Sequence, residues 1–322
     1  MRNDLAIVLT ARMNSTRLPG KAMSEVGGKP LLYWIIERLK TIGNVVLSAT
    51  TDVADEPMLA IADICQIPHV RSKAGDVVSA MNVALQLHYP KAKFVLRGLG
   101  DCPLMAGELI ERMCEVMQKQ RAEVFQWALA PSILPVYGSR ESPYSRAAWQ
   151  RIVMHATVRE HIDTFYHEHR GTFRTVYHEP PDNVYFRPYR LEIDWLEDLQ
   201  MFRAIADGIS LRAPVTKIIK WLDNHQEVAM LNHMRVERTG PSCYTYETKR
   251  SWAHDMIGKG IVTWDDRVWY PPGDKAVPIM CKSGCCLLGY GDNGVLHTKD
   301  SQIVGEAYLK CQCGSGLHWQ AV

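Results

Sequence analysis

The chain has 322 residues, with 37 Lys and Arg against 35 Asp and Glu and a formal net charge of +2. Hydrophobic residues make up 47% and charged residues 22%, the proportions of a soluble globular fold, which excludes disordered and collagen-like classes. So small a net charge leaves no broad basic footprint for nucleic acid or an anionic membrane, and any anion site has to be local.

The length suits about two domains of roughly 150 residues. The purely apolar stretches, such as 31–36, fall far short of the roughly 20 residues of a membrane helix. The opening residues Met1 to Asp4, followed by Leu5–Leu9, read as a strand rather than a leader, so a cytoplasmic protein is expected.

From residue 5 to about residue 205, short β-branched runs alternate with longer helical patterns, as βα units on a mostly parallel, doubly wound sheet require. Leu5–Leu9 and Val45–Ala49 read as buried strands. Between them Leu31, Leu32, Ile35, Ile36 and Leu39 recur at three- and four-residue spacing after Pro30, predicting a helix packed on the sheet. Glu56–Cys65 and Val77–Leu87 predict two more helices. Phe94–Leu96 predicts a strand leading into Gly98-Leu99-Gly100-Asp101, and Glu108–Gln118 a helix. Tyr189–Asp194 alternates like a strand, and Glu197–Ile205 resumes a helix. A last helical stretch, Val215–Val236, precedes Thr239-Gly240-Pro241-Ser242, whose breakers place a domain boundary after residue 238. Residues 239–322 are richer in Gly and Trp, with Pro271-Pro272-Gly273 and short strand-like runs, and predict a small β-rich module.

Nine cysteines are distributed unevenly: Cys65, Cys102 and Cys114 lie singly in apolar segments, whereas Cys281, Cys285, Cys286, Cys311 and Cys313 cluster near the C-terminus. Cys281, Cys285, Cys311 and Cys313 supply four thiolates for a tetrahedral structural Zn²⁺, with His318 as a substitute ligand; reduced thiols in a small core are the other reading.

The connection after the first strand, Thr10-Ala11-Arg12-Met13-Asn14-Ser15-Thr16-Arg17-Leu18-Pro19-Gly20-Lys21, carries three cations, with Ser15 and Thr16 as hydroxyl donors among them. In a doubly wound sheet, ligands bind outside the carboxyl ends of the strands, where this loop falls. Arg12, Arg17 and Lys21, with Ser15 and backbone amides, suit a polyphosphate; a solvated surface loop is the alternative. This loop is neither Gly-x-x-x-x-Gly-Lys-Ser/Thr nor Gly-x-Gly-x-x-Gly, which disfavours kinases, P-loop NTPases and dinucleotide enzymes.

This loop resembles the opening motif of cytidylyltransferases of the spore-coat-polysaccharide type, relatives of the CMP-ulosonate and CMP-acylneuraminate synthetases. The likeness continues in order through Ala49-Thr50-Thr51-Asp52, Ile67-Pro68-His69-Val70-Arg71, Gly75-Asp76-Val77-Val78, Arg97 with Gly100-Asp101-Cys102-Pro103-Leu104, Arg159-Glu160-His161, and Arg190-Leu191-Glu192-Ile193-Asp194 with Glu197-Asp198-Leu199, and Trp221-Leu222-Asp223 to Leu231-Asn232 resembles the family's closing helices. It covers about residues 1–235 and implies a Rossmann-like sheet of the nucleotidyltransferase type. Where that family shows Pro-Asp-Gly and an acidic stretch, this chain reads 134–142 as Leu-Pro-Val-Tyr-Gly-Ser-Arg-Glu-Ser, which bears on the acceptor.

Asp101 and Asp194 each end an apolar strand-like run, which places two carboxylates on the ligand edge of the sheet, fit for Mg²⁺; a helix N-cap is the plain alternative, above all for Asp194. Glu192 is set one pleat back and Asp198 inside the following helix, so neither is expected as a ligand. The resemblance implies transfer of CMP from CTP to an anionic, sugar-acid-like acceptor with release of pyrophosphate. Arg12, Lys21, Asp101 and Asp194 would act in catalysis, and Ala11, Arg12, Ser15, Arg17, Lys21, Arg71, Asp76 and Arg97 would bind the nucleotide. Arg159, Glu160, His161 and Arg190 would bind the acceptor. The family's relatives are often dimers, so the resemblance also implies a homodimer; the small net charge and short apolar stretches give no expectation of a nucleic-acid or membrane partner. Another nucleotide, a phosphonate or hydroxy-acid acceptor, or a noncatalytic nucleotide- or glycan-binding protein remain open alternatives.

Overall fold

The computed structural model describes residues 1–127, 141–178 and 189–232, and eight strand segments between residues 263 and 320. The chain divides into two compact units, residues 1–126 with 135–233, and residues 127–134 with 234–322. The expected boundary after residue 238 lies outside the described residues.

The first unit runs β1 (Arg2–Thr10), a short hairpin β2 (Glu25–Val26) and β3 (Lys29–Pro30), α1 (Leu31–Lys40), β4 (Gly43–Thr50), α2 (Glu56–Ile64), β5 (His69–Ser72), α3 (Val77–His88), β6 (Phe94–Leu99) and α4 (Gly107–Gln120). It continues through β7 (Val124–Trp127), β8 (Tyr144–Ser145), α5 (Arg146–His155), α6 (Asp163–Glu168), β9 (Thr175–His178), α7 (Leu196–Gly208), α8 (Val215–Asp223) and α9 (Gln226–Ala229). Seven strands form one sheet in the order β5-β4-β1-β6-β8-β7-β9. β5, β4, β1 and β6 are parallel, and β8 joins β6 antiparallel. The expected α/β class with a mostly parallel sheet is thus found.

Apolar periodicity accounts for the core. All of Leu5–Leu9 is buried, as a central strand covered on both faces requires, and Leu31, Leu32, Ile35, Ile36 and Leu39 form the buried stripe of α1. Asp76 caps α3 by accepting from Ser79 N at 2.8 Å, and Ser145 caps α5 through Ala148 N. Thr10 pairs with Ser48 on one side and Leu99 on the other, so the loops after β1, β4 and β6 leave the sheet along one edge. At Gly100 a Cβ would come within 2.8 Å of Ala11 Cβ, so the two loops lie side by side only because residue 100 has no side chain.

Two expected elements differ. Tyr189–Asp194 is not a strand: Ile193 N donates to Asp101 O at 2.8 Å and Asp194 N to Asp198 Oδ2 at 2.8 Å, so the segment lies against the turn after β6. The helical stretch from Val215 breaks at Asn224-His225, where both side chains bond carbonyls of the preceding turn, Asn224 Nδ2 to Lys220 O and His225 Nδ1 with Trp221 O. Its continuation beyond residue 232 lies outside the described residues.

In the second unit the strands are β10 (Thr263–Trp264), β11 (Arg267–Val268), β12 (Val277–Met280), β13 (Leu287–Asp292), β14 (Val295–His297), β15 (Gln302–Val304), β16 (Glu306–Lys310) and β17 (Gly316–Gln320). β12 to β15 form an antiparallel sheet, and β10 with β11 and β16 with β17 form two-stranded ones, which makes the described part β-rich. The five clustered cysteines lie outside the described residues.

Candidate active site

The cation-bearing loop is held by its backbone. Met13 N donates to Asp55 Oδ1 at 2.7 Å, and the buried Asp55 also accepts from Thr50 N and Thr50 Oγ1. Asn14 Nδ2 donates to Asp52 Oδ2 at 2.6 Å. Gly20, at φ +74°, turns the chain so that Gly20 N reaches Met13 O and Lys21 is directed inward. Ala11 N donates to Ser48 O, and Ser15 Oγ accepts from Leu18 N at 3.4 Å. The matched segment Ala49-Thr50-Thr51-Asp52 ends short of Asp55, which the sequence marks only as an acid three residues on, at the start of a helix.

Lys21 is the centre of the cluster. Its Nζ donates to Asp101 Oδ2 and Asp194 Oδ1, each at 2.9 Å, and to Ile193 O at 2.8 Å, which uses all three ammonium protons. Burial disfavours the charged ammonium, but Asp101 and Asp194 outweigh it and raise its pKa. Arg17 reaches Asp194 Oδ1 from the solvent side at 2.5 Å. Burial also works against the Asp194 carboxylate, yet Lys21 and Arg17 hold it below the ordinary carboxylate range.

Asp194 is not the N-cap of α7; Asp198 does that work, accepting from Asp194 N and from Trp195 N at 2.9 Å. Glu192, set aside on the assumption of a strand, comes forward because the segment is irregular: ligand atoms of Asp101, Cys102 and Glu192 lie within 4.8 Å of one another. Burial, reinforced by Asp101 and Asp194, pushes Glu192 up to about 8, and its Oε2 is buried without a hydrogen bond, 3.5 Å from Arg190 Nη1. Burial likewise raises the Cys102 thiol, so it stays protonated and leaves the carboxylates as the donors here.

A second group lies along the same edge. Arg97 Nε donates to Thr10 Oγ1 at 3.1 Å and its Nη1 to Glu160 O at 3.5 Å, while Arg12 and Glu160, both half-exposed, pair at 3.8 Å. Arg71 bonds Thr50 O and Asp52 O, bracing the loop after β4. Asp76 receives Arg159 Nε on both oxygens, at 2.9 and 3.0 Å, and Arg159 Nη2 bonds Ser79 Oγ. Arg190 is 1% exposed and surrounded by Asp194, Asp198 and Glu192. Of the four residues expected to meet an acceptor, Glu160 and His161 are exposed; Arg159 and Arg190 have their guanidinium groups engaged by the protein's own carboxylates.

A parallel sheet whose carboxyl edge carries a cationic loop beside convergent carboxylates defines a nucleotide-handling α/β enzyme. Residues 6–211 match the family model described as cytidylyltransferase, and the chain belongs to that family. It is therefore an enzyme of the nucleotidyltransferase class. It is 26% identical to the spore coat polysaccharide biosynthesis protein SpsF of Bacillus subtilis over 237 residues, 70% of this chain and 97% of that one. It is 23% identical to the 3-deoxy-manno-octulosonate cytidylyltransferase of Agrobacterium fabrum over 227 residues, 66% of this chain and 87% of that one. Among solved structures, a cytidylyltransferase from Leptospira borgpetersenii shares the fold with a TM-score of 0.63 and 22% identity, covering 71% of this chain and 97% of its own. No helix among the described residues is long and apolar enough to cross a membrane.

Proposed function

We propose that the chain transfers CMP from CTP to an anionic, sugar-acid-like acceptor, releasing pyrophosphate, in the supply of activated sugars for polysaccharide synthesis. The observation that carries this reading is the convergence of Asp101 and Asp194 on one cation, Lys21 Nζ, beneath a loop that keeps Arg12 and Arg17 in solvent. The names of the relatives support the substrate classes: one acts on a sugar acid, another takes part in polysaccharide synthesis.

In the transfer, an acceptor oxygen attacks the α-phosphorus, a new P–O bond forms, and the bond to the β-phosphate breaks with its electrons leaving on pyrophosphate. Charge grows on phosphate oxygens, so the protein's task is to position and neutralise. Arg12 and Arg17, both about half-exposed, meet the β- and γ-phosphates first. Lys21 holds Asp101 and Asp194 together until the anion arrives and then adds its own charge. Ala11, Ser15 and Arg97 line the nucleotide's path, with Arg71 and Asp76 toward base and ribose. Glu160 and His161 are assigned to the acceptor.

The donor set suits Mg²⁺: all-oxygen carboxylates that already share one cation, with the buried Glu192 Oε2 lacking a hydrogen bond. Asp101 and Asp194 would hold the ion, which when bound neutralises charge on the reacting phosphate. For the C-terminal module we propose a structural Zn²⁺ on Cys281, Cys285, Cys311 and Cys313, supported by the donor chemistry and by Cys281 and Cys285 falling between two paired strands, Cys311 and Cys313 between two others. Metal analysis of the purified protein tests it, and one equivalent of zinc is expected.

The main test is thermal stabilisation by CTP, UTP, ATP and GTP with and without Mg²⁺, followed by product mass with an acceptor panel. A CTP-selective shift that needs Mg²⁺ is expected. No shift with any nucleotide would overturn the reading.

A further inference from the structure

Behind Asp194 lies a corner that takes no part in the transfer as described. Arg190, Asp198 and Asn232 are 1%, 0% and 1% exposed, so none of them meets a substrate. Arg190 Nη2 donates to Asp194 Oδ2 at 2.8 Å and Nε to Asp198 Oδ1 at 3.2 Å, and Nη1 lies 3.5 Å from Glu192 Oε2. One planar guanidinium thereby spaces three carboxylates, which a lysine's single ammonium cannot do. Asn232, 34 residues beyond Asp198, closes the cluster: its Nδ2 donates to Asp198 Oδ1 at 2.9 Å and to Arg190 O at 3.0 Å. Asp198 Oδ2 in turn fixes the backbone N–H of Asp194 and of Trp195.

The consequence is a division of labour within one carboxylate. Asp194 Oδ2 is tethered to the interior through Arg190, while Oδ1 faces the edge and takes Lys21 and Arg17. Its backbone is pinned by the same cluster. A corner that served packing alone would gain as much from apolar side chains, because a buried ion pair repays its desolvation only when its geometry is well satisfied.

We propose that Arg190, Asp198 and Asn232 are positioning residues, a buried hydrogen-bonded cluster that aims the Asp194 carboxylate at the transfer site. The inference rests on the transferase reading above. It also gives Arg190 a task other than meeting the acceptor.

The test uses the full chain with Arg190→Lys, which keeps the charge but loses the fork, and Asn232→Asp, nearly isosteric, which sets an acceptor against Asp198 Oδ1. kcat and KM for CTP are measured separately, and Mn²⁺ affinity is read by paramagnetic titration of the nucleotide-free protein. Loss of an outer-shell partner lowers metal affinity or activity by about 10- to 100-fold, so a drop of that size in kcat and weaker Mn²⁺ binding are expected, with KM for CTP changed less than about threefold. Asn232→Ala carries the same test where a charge-altering variant does not fold. Folded variants with wild-type kcat and Mn²⁺ affinity would overturn the proposal, as would losses that track only the unfolded fraction. Failure of the wild type to transfer CMP from CTP would instead overturn the transferase reading, and the Mn²⁺ titration still reads the tether.

Discussion

Residues 11–17 and residues 190–198 both bring ionised side chains to the carboxyl edge of the sheet, the first from solvent and the second, together with the buried Lys21, from the interior. Arg17 keeps 49% of its side chain exposed, whereas Arg190 keeps 1%. The loop is anchored through its backbone, by Met13 N on Asp55, and its half-exposed Arg12 and Arg17 pair with Glu160 and Asp194. The other segment is anchored through its side chains, so its carboxylates are set before any ligand arrives. Charge screened by water and charge shielded from it suit different work: in the proposed transfer the first would capture a phosphate and the second would fix where it reacts.

Asp194 is where the two meet, and breaking it tests the comparison hardest. Asp194→Asn is expected to lower kcat by about 10²- to 10³-fold, the cost of losing one preorganised group at a developing charge, as initial rates with CTP will show. Lys21→Met removes the buried cation between two carboxylates; urea unfolding should show a loss of about 3 kcal/mol, the usual result of stranding a buried charge.

The interior segment also predicts a pH signature. Glu192 ionises near 8 in the folded protein against about 4.3 when unfolded. A raised folded value contributes stability below pH 4.3 that is lost as pH rises through about 8. Asp194 behaves oppositely: its depressed value contributes above about pH 3.9, and that contribution disappears as pH falls through the folded value. Urea midpoints without metal should therefore fall between pH 6 and pH 8, and Glu192→Gln should flatten that slope.

The smallest effect on stability belongs to the loop. Arg17→Ala removes a half-exposed partner and should cost less than about 1 kcal/mol, while raising KM for CTP about tenfold through the loss of a charge-assisted contact. Should Arg17→Ala destabilise as much as Lys21→Met, the distinction between the two segments would not hold.

Much of this arrangement was legible in the residues. β1, β4, α1, α2, α3 and α4 follow from local periodicity, and Arg12, Arg17, Lys21, Asp101 and Asp194 stand out as charged groups at the ends of apolar runs. Glu192 was lost because a pleat was assumed where the chain is irregular, so the alternation that sets it back does not exist. Arg190 is buried among carboxylates and Arg159 is held by Asp76, partners that the matched motifs do not reveal. Asp55 lies outside the matched segments, and Asp198 and Asn232 lie within them without any local mark of the buried partners they meet.

By itself, then, the sequence determined the class, the elements β1, β4, β6, α1 to α4 and α7, and the cationic loop, all of which rest on interactions between residues a few positions apart. Tertiary structure alone decided which charges meet. Lys21 finds Asp101 across 80 residues and Asp194 across 173, and Asn232 closes on Arg190 across 42. Such pairings, and the burial that shifts Glu192 upward and spares Arg17, depend on where the sheet edge places distant loops, and no local pattern encodes that distance.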